Sequence, residues 1–347
     1  MTREPRLDRP LPWLLDDWSR LRAAHHAGRL AHGLLISGPR GVGKRHLAEL
    51  LVRALLCRDP TPEWIACGRC DDCALIQAES HPDLLRVGPD PESKSGEITI
   101  GAVRALVERG ALTASRGARK ITLIDPAEHL NTAAANALLK TLEEPPGDAL
   151  ILLVTEQPGR LPATVRSRCQ QIRVAIPSLE HANAWLAEQQ LPRDEIRLRL
   201  RLAQGAPLRA ASELDAAALT QRRERLAGFI AIARGTRDPV AEAAVWNEAG
   251  AERILEWLAG WLVDLLRLGA QDAPIWLENP DQIEPFSVLA QGLDAAATHR
   301  LLQAVLRFRG LSDARLNTQL MLESLAIDWA RISRGQQPPR DLRRGLE

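Results

Sequence analysis

A glycine-rich loop held between an apolar run and a helical pattern constrains this chain more than any other stretch. Leu34-Leu35-Ile36 leads into Gly38-Pro39-Arg40-Gly41-Val42-Gly43-Lys44-Arg45-His46, after which Leu47, Leu50, Leu51, Ala54 and Leu55 recur at helical spacing. A strand that turns through glycines into a helix N-terminus gathers backbone N–H groups around a phosphate, and Lys44 adds a point charge. The frame is a P-loop, with Gly38, Gly41, Gly43 and Lys44 as its binding residues. Its last position is altered. The pattern GxxxxGK[ST] ends in a hydroxyl that ligates Mg²⁺, and this chain has Arg45. A guanidinium fixed about 4 Å from Mg²⁺ would cost roughly 8 kcal/mol, twice the ~4 kcal/mol of two unit charges near a surface. Arginine is long enough to swing aside, so the missing ligand is the firmer argument. The loop predicts an ATPase-type fold that has lost hydrolysis.

A second stretch carries the same message. Lys120-Ile121-Thr122-Leu123-Ile124-Asp125 is an apolar run ending in a carboxylate, the form of a Walker B strand. A hydrolysing enzyme of this kind follows that Asp with a Glu that orients water; here Pro126 follows. Glu128 is the nearby substitute, but three residues on it projects from a different direction. Two separate catalytic parts are altered, which argues for ATP binding as possible and hydrolysis as lost.

The cysteines form a second constellation. Cys57 precedes Cys67-Gly68-Arg69-Cys70-Asp71-Asp72-Cys73. Two CxxC steps plus one upstream thiol can close a tetrahedral thiolate site, and Gly68 eases the turn. The iron–sulfur pattern with a further downstream Cys followed by Pro is missing. Cys57, Cys67, Cys70 and Cys73 are therefore predicted to hold a structural zinc, against the blander reading of four buried thiols. Clustered cysteines suit a reducing compartment better than a disulfide framework. Cys169, far off in sequence, reads as a small apolar side chain.

Composition sets the remaining limits. A chain of 347 residues has room for two or three domains, and its lack of Tyr and few Phe favour helix over sheet. A net charge of +1 argues against a nucleic-acid protein acting alone through a basic surface. The charged start, Met1 to Pro10, lacks the apolar core of a signal peptide, and the apolar stretch Ile254 to Leu268 is interrupted by Glu256, Asp264 and Arg267. The expectation is a cytoplasmic protein with no membrane partner. Further helices are expected over 15–28, 98–111 and 179–214, and short strands over 81–87, 150–155 and 170–174. From Ala216 onward the pattern is helical. Trp257 and Trp261 fall on an apolar face without interleaved charge, so they read as core rather than as a base-stacking platform.

One helix makes the resemblance specific. Ala135-Asn136-Ala137-Leu138-Leu139-Lys140-Thr141-Leu142-Glu143-Glu144-Pro145-Pro146 resembles the signature helix of bacterial clamp-loader subunits, members of the AAA+ class. Thr155 matches that family's sensor 1 place, Gly205-Ala206-Pro207-Leu208-Arg209 its sensor 2 segment, and Leu316 to Leu325 its final collar helix. Ser167-Arg168-Cys169 matches the motif that presents an arginine finger to a neighbour's ATP, which maps the finger onto Arg168.

The resemblance covers nearly the whole chain. It implies an α/β P-loop (AAA+) domain over 1–176 with an embedded zinc module at 57–73, a small helical lid over 177–215, an all-α collar over 216–335, and a loose tail over 336–347. It also implies assembly with gamma/tau and delta subunits to load a sliding clamp on primed DNA for DNA polymerase III. With Arg45 and Pro126, the chain is similar to the non-hydrolysing members of that family rather than to the gamma/tau motor. An active motor that uses Glu128 is the alternative. A zinc-knuckle DNA-binding module is a weaker one, disfavoured because Asp71 and Asp72 would repel phosphate.

Overall fold

Apolar runs bounded by loops form five strands: β1 (Gly33–Ser37), β2 (Leu84–Val87), β3 (Ile121–Ile124), β4 (Leu150–Thr155) and β5 (Gln170–Arg173). They make one parallel sheet in the order β2-β3-β4-β1-β5. Every residue of β1, β3 and β4 is buried, whereas the edge strands β2 and β5 are partly exposed. That division follows from a parallel sheet covered on both faces, whose central strands need unbroken apolar sequence. The structure, a computed structural model, describes residues 8–90, 96–104, 114–116, 119–189, 191–270, 276–310 and 317–336.

The sheet order decides where chemistry can gather. Ser37 at the end of β1 lies opposite Thr155 at the end of β4, and Ile124 at the end of β3 lies opposite Leu153. The glycine loop, Asp125 and Thr155 thus share one carboxyl edge, where open α/β sheets bind ligands. The Lys44–Leu56 helix starts directly from the loop. The Thr132–Glu143 helix is capped by Asn131, whose side chain accepts from the Ala134 N–H. Its buried Ala134, Ala135, Leu138 and Leu142 pack with Leu35, Ile124, Ile151 and Leu153 of the sheet.

By packing, the chain divides into two units, residues 1–192 with 205–209, and residues 193–204 with 210–347. The segment expected as a lid is shared between them. Its Leu179–Glu188 helix lies in the first unit, and Arg193–Leu202 in the second.

Among its described residues the second unit has helices and no strand. Its longer helices, among them Ala216–Ala233, Ala251–Ala270, Ala295–Gly310 and Thr318–Ser333, enclose Phe229, Trp246, Trp261, Phe286 and Trp329. Phe229 and Trp329 stack with centroids 4.2 Å apart, and the Trp329 indole donates to the Phe229 carbonyl. Trp257 and Trp261 belong to this core, as their uncharged helix face predicts.

Among the described residues, no helix is long and apolar enough to cross a membrane. Parts of the expected 98–111 helix and of the tail, namely 105–111 and 337–347, lie outside the described residues.

Candidate functional site

The loop after β1 keeps the backbone that a phosphate requires. A side chain at Gly38 would run into the Val174 carbonyl oxygen, and a Cβ at Gly41, where φ is +78°, would lie 2.5 Å from the Arg209 Cβ. Both positions therefore admit only glycine without rearrangement. The Leu208 N–H donates to the Gly41 carbonyl, so the 205–209 segment is seated against the loop. Gly43 precedes the first turn of the helix, and Lys44 follows it with only 5% of its surface exposed. The Lys44 Nζ donates to the Pro39 carbonyl at 2.6 Å and lies 3.6 Å from a Glu156 oxygen. Burial lowers the pKa of this ammonium, opposed by Glu156 and, more weakly, by Glu128 and Asp125.

Arg45 and Asp125 meet beside the same loop. Arg45 Nε donates to Asp125 Oδ2, so the residue that replaces the hydroxyl of the P-loop pattern pairs with the carboxylate that ends β3. That hydrogen bond raises an already high guanidinium pKa. Glu128 is buried in the turn after Pro126, and its Oε1 accepts from the Glu156 N–H at 2.9 Å. It is thereby tied to the loop after β4. Thr155 is buried at the end of β4, where its hydroxyl accepts from the Gln157 N–H.

Arg168 occupies a different setting, after the short Ala163–Arg166 helix. Its Nε donates to Glu143 Oε1 at 2.7 Å, and its Nη1 to the Thr164 carbonyl at 3.0 Å. Glu143 ends the signature helix, so two motifs separated by 25 residues meet through one ion pair. Cys169 is buried beside them, and burial pushes its thiol up to about 11.

The four expected cysteine ligands come together. Their sulfurs lie within 4.8 Å of one another and could hold a metal ion. The Cys57–Cys70 and Cys67–Cys73 separations are 4.0 and 3.9 Å. The backbone N–H groups of Arg69 and Cys70 bring the Cys67 thiol down to about 6, while burial pushes Cys73 up to about 12. Cys70 caps a short helix, Asp71–Gln77, that spacing alone did not reveal. Asp72 is buried there between Arg58 and Arg116, which hydrogen-bond or pair with it at 2.7 and 2.8 Å, with His81 at 3.5 Å. Its charge is neutralised inside the protein. Asp71 faces solvent but lies 3.8 Å from both Arg58 and Arg116, so the repulsion of phosphate expected of both carboxylates is offset by the same two arginines.

One helical segment braces both loops. Trp13 Nε1 donates to the Val42 carbonyl of the glycine loop at 2.8 Å, and Trp18 Nε1 donates to the Glu63 carbonyl of the cysteine loop at 3.3 Å. Trp64, held at φ +62°, is buried in a stack between Trp18 and His25. Trp64 is invisible to motif reading; a lone tryptophan between Cys57 and Cys67 was the available signal.

Comparison with known proteins agrees with this arrangement. A family described as "DNA polymerase III, delta subunit" matches residues 16–178, and its C-terminal counterpart, "DNA polymerase III, delta subunit, C terminal", matches residues 216–331. DNA polymerase III subunit delta' of Pseudomonas aeruginosa is 35% identical across 92% of this chain and 97% of its own length. The Escherichia coli K12 delta' subunit is 36% identical across 94% and 96%. The tau subunit of Salmonella typhimurium is 31% identical over 87% of this chain but 48% of its own length. With two delta' relatives at 35% and 36% identity matching more than nine-tenths of its length, and family models over residues 16–178 and 216–331, the chain belongs to the delta' subunit family of DNA polymerase III.

Proposed function

We propose that this chain is a non-hydrolysing delta' subunit of the DNA polymerase III clamp loader, which assembles with gamma/tau and delta to place a sliding clamp on primed DNA. The observation that carries the reading is Arg45 lying on Asp125, where a hydrolysing subunit would hold Mg²⁺ with a hydroxyl. Pro126 in place of a water-orienting Glu, and Glu128 engaged on the Glu156 N–H, support the same conclusion. The helical segments over 177–215 and 216–335 serve as lid and collar in this reading, the collar holding the subunit in its complex.

Arg168 acts across the subunit boundary. An arginine finger supplied in trans stabilises charge on the transferring phosphoryl and is worth ~10³–10⁵ in rate, or about 4–7 kcal/mol. Releasing Arg168 from Glu143 costs far less, because exposed ion pairs contribute about 0–1 kcal/mol. The side chains of Arg168 and Glu143 are 36% and 50% exposed.

Cys57, Cys67, Cys70 and Cys73 hold a structural zinc. Thiolates about 2.3 Å from Zn²⁺ in a tetrahedron place their sulfurs ~3.8 Å apart, close to the separations found here. The metal supplies folding energy to the loop and no chemistry.

The deciding experiment mixes the purified chain with gamma/tau and delta and measures ATP hydrolysis with clamp and primed DNA. The isolated chain should turn over no ATP and the mixture should form an active loader. Magnesium-dependent turnover by the isolated chain, abolished by Lys44→Ala, would establish the motor reading instead. Metal analysis of the purified chain should find zinc that Cys70→Ser removes; a chain that folds fully without metal would refute the zinc assignment.

A further inference from the structure

The two sides of the pocket disagree about their ligand. On the phosphate side, the glycines hold the loop in the geometry that only they allow, and the enclosed Lys44 ammonium has three donors. Its described partners are one carbonyl at 2.6 Å and one carboxylate oxygen at 3.6 Å. An anion entering the loop would satisfy the remainder. On the metal side, the residues do not fit Mg²⁺, which demands oxygen ligands in near-octahedral geometry. Arg45 offers no oxygen, and its guanidinium already covers Asp125.

We propose that this pocket binds the polyphosphate of a nucleotide without a divalent cation, the Arg45–Asp125 pair occupying the place of the metal. The guanidinium is planar and presents five N–H donors, of which Asp125 engages Nε, so others reach phosphate oxygens as charge-assisted hydrogen bonds. Its side chain is 70% exposed, so it reaches a ligand without displacing core. The inference rests on the non-hydrolysing reading and goes beyond it: the nucleotide here is a static ligand whose retention ignores magnesium.

Equilibrium dialysis of the full-length chain with ATP, in excess EDTA and in excess Mg²⁺, tests this. The dissociation constants should agree within about threefold, under ~0.7 kcal/mol, and Lys44→Ala should lose binding in both conditions. Arg45→Ser, which restores the hydroxyl and removes the competing cation, should bind at least about tenfold more tightly with Mg²⁺ than with EDTA. Failure of the wild-type chain to bind millimolar ATP in either condition overturns the proposal. So does a tenfold or greater weakening by EDTA, or an Arg45→Ser variant as indifferent to magnesium as the wild type. Each of these leaves the non-hydrolysing reading standing, since that reading fails only on turnover or on assembly.

Discussion

Arg45 and Arg168 are the same residue in the same kind of contact, each hydrogen-bonded through Nε to a carboxylate, yet they stand in two differently built regions. Arg45 meets Asp125, which is 15% exposed at the sheet edge. Arg168 meets Glu143, a half-exposed residue at the end of a helix, with a carbonyl as its second acceptor. The difference teaches that an arginine's role follows from how readily its anion gives it up. A partly enclosed carboxylate keeps its guanidinium, and an exposed one holds it less firmly.

The largest expected effect tests that contrast directly. In the assembled loader, Arg168→Ala should lower ATPase with clamp and primed DNA by ~10³-fold or more, whereas Arg45→Ala should leave the rate within about twofold, under ~0.5 kcal/mol. Equal losses would dissolve the distinction. Next in size, Asp125→Asn removes the anion under Arg45 and should lower stability by about 1 kcal/mol, the upper end for a pair with one exposed partner; thermal unfolding reads this. Smallest is Glu143→Gln, expected to shift stability by less than ~0.5 kcal/mol, and with more salt-sensitive behaviour in the parent than at Asp125. A larger loss from Glu143→Gln than from Asp125→Asn would reverse the ranking on which the contrast rests.

Much of this was readable from residues close in sequence. The glycine loop, the β3 and β4 strands and the CxxC steps are local patterns, and local spacing fixes their geometry. What could not be read were partners brought together by the sheet: Arg45 with Asp125 across 80 residues, and Asp72 with Arg116 across 44. The missing hydroxyl at position 45 announced a loss. Only the fold revealed that its replacement pairs with Asp125. The Asp71–Gln77 helix escaped because seven residues carry too little periodicity beside four cysteines, and the burial of Asp72 escaped because acidic residues in a loop are ordinarily solvated.

The indoles of Trp13 and Trp18 sit five positions apart on one short span, and each grips a different loop by a carbonyl. That span works as a tie-rod with an anchor at either end. On the zinc reading, removing the metal should slacken one anchor first, through Trp64, and then reach Val42. Two loops far apart in function are thereby coupled mechanically, and a displacement of the cysteine loop reaches the glycine loop through a single span.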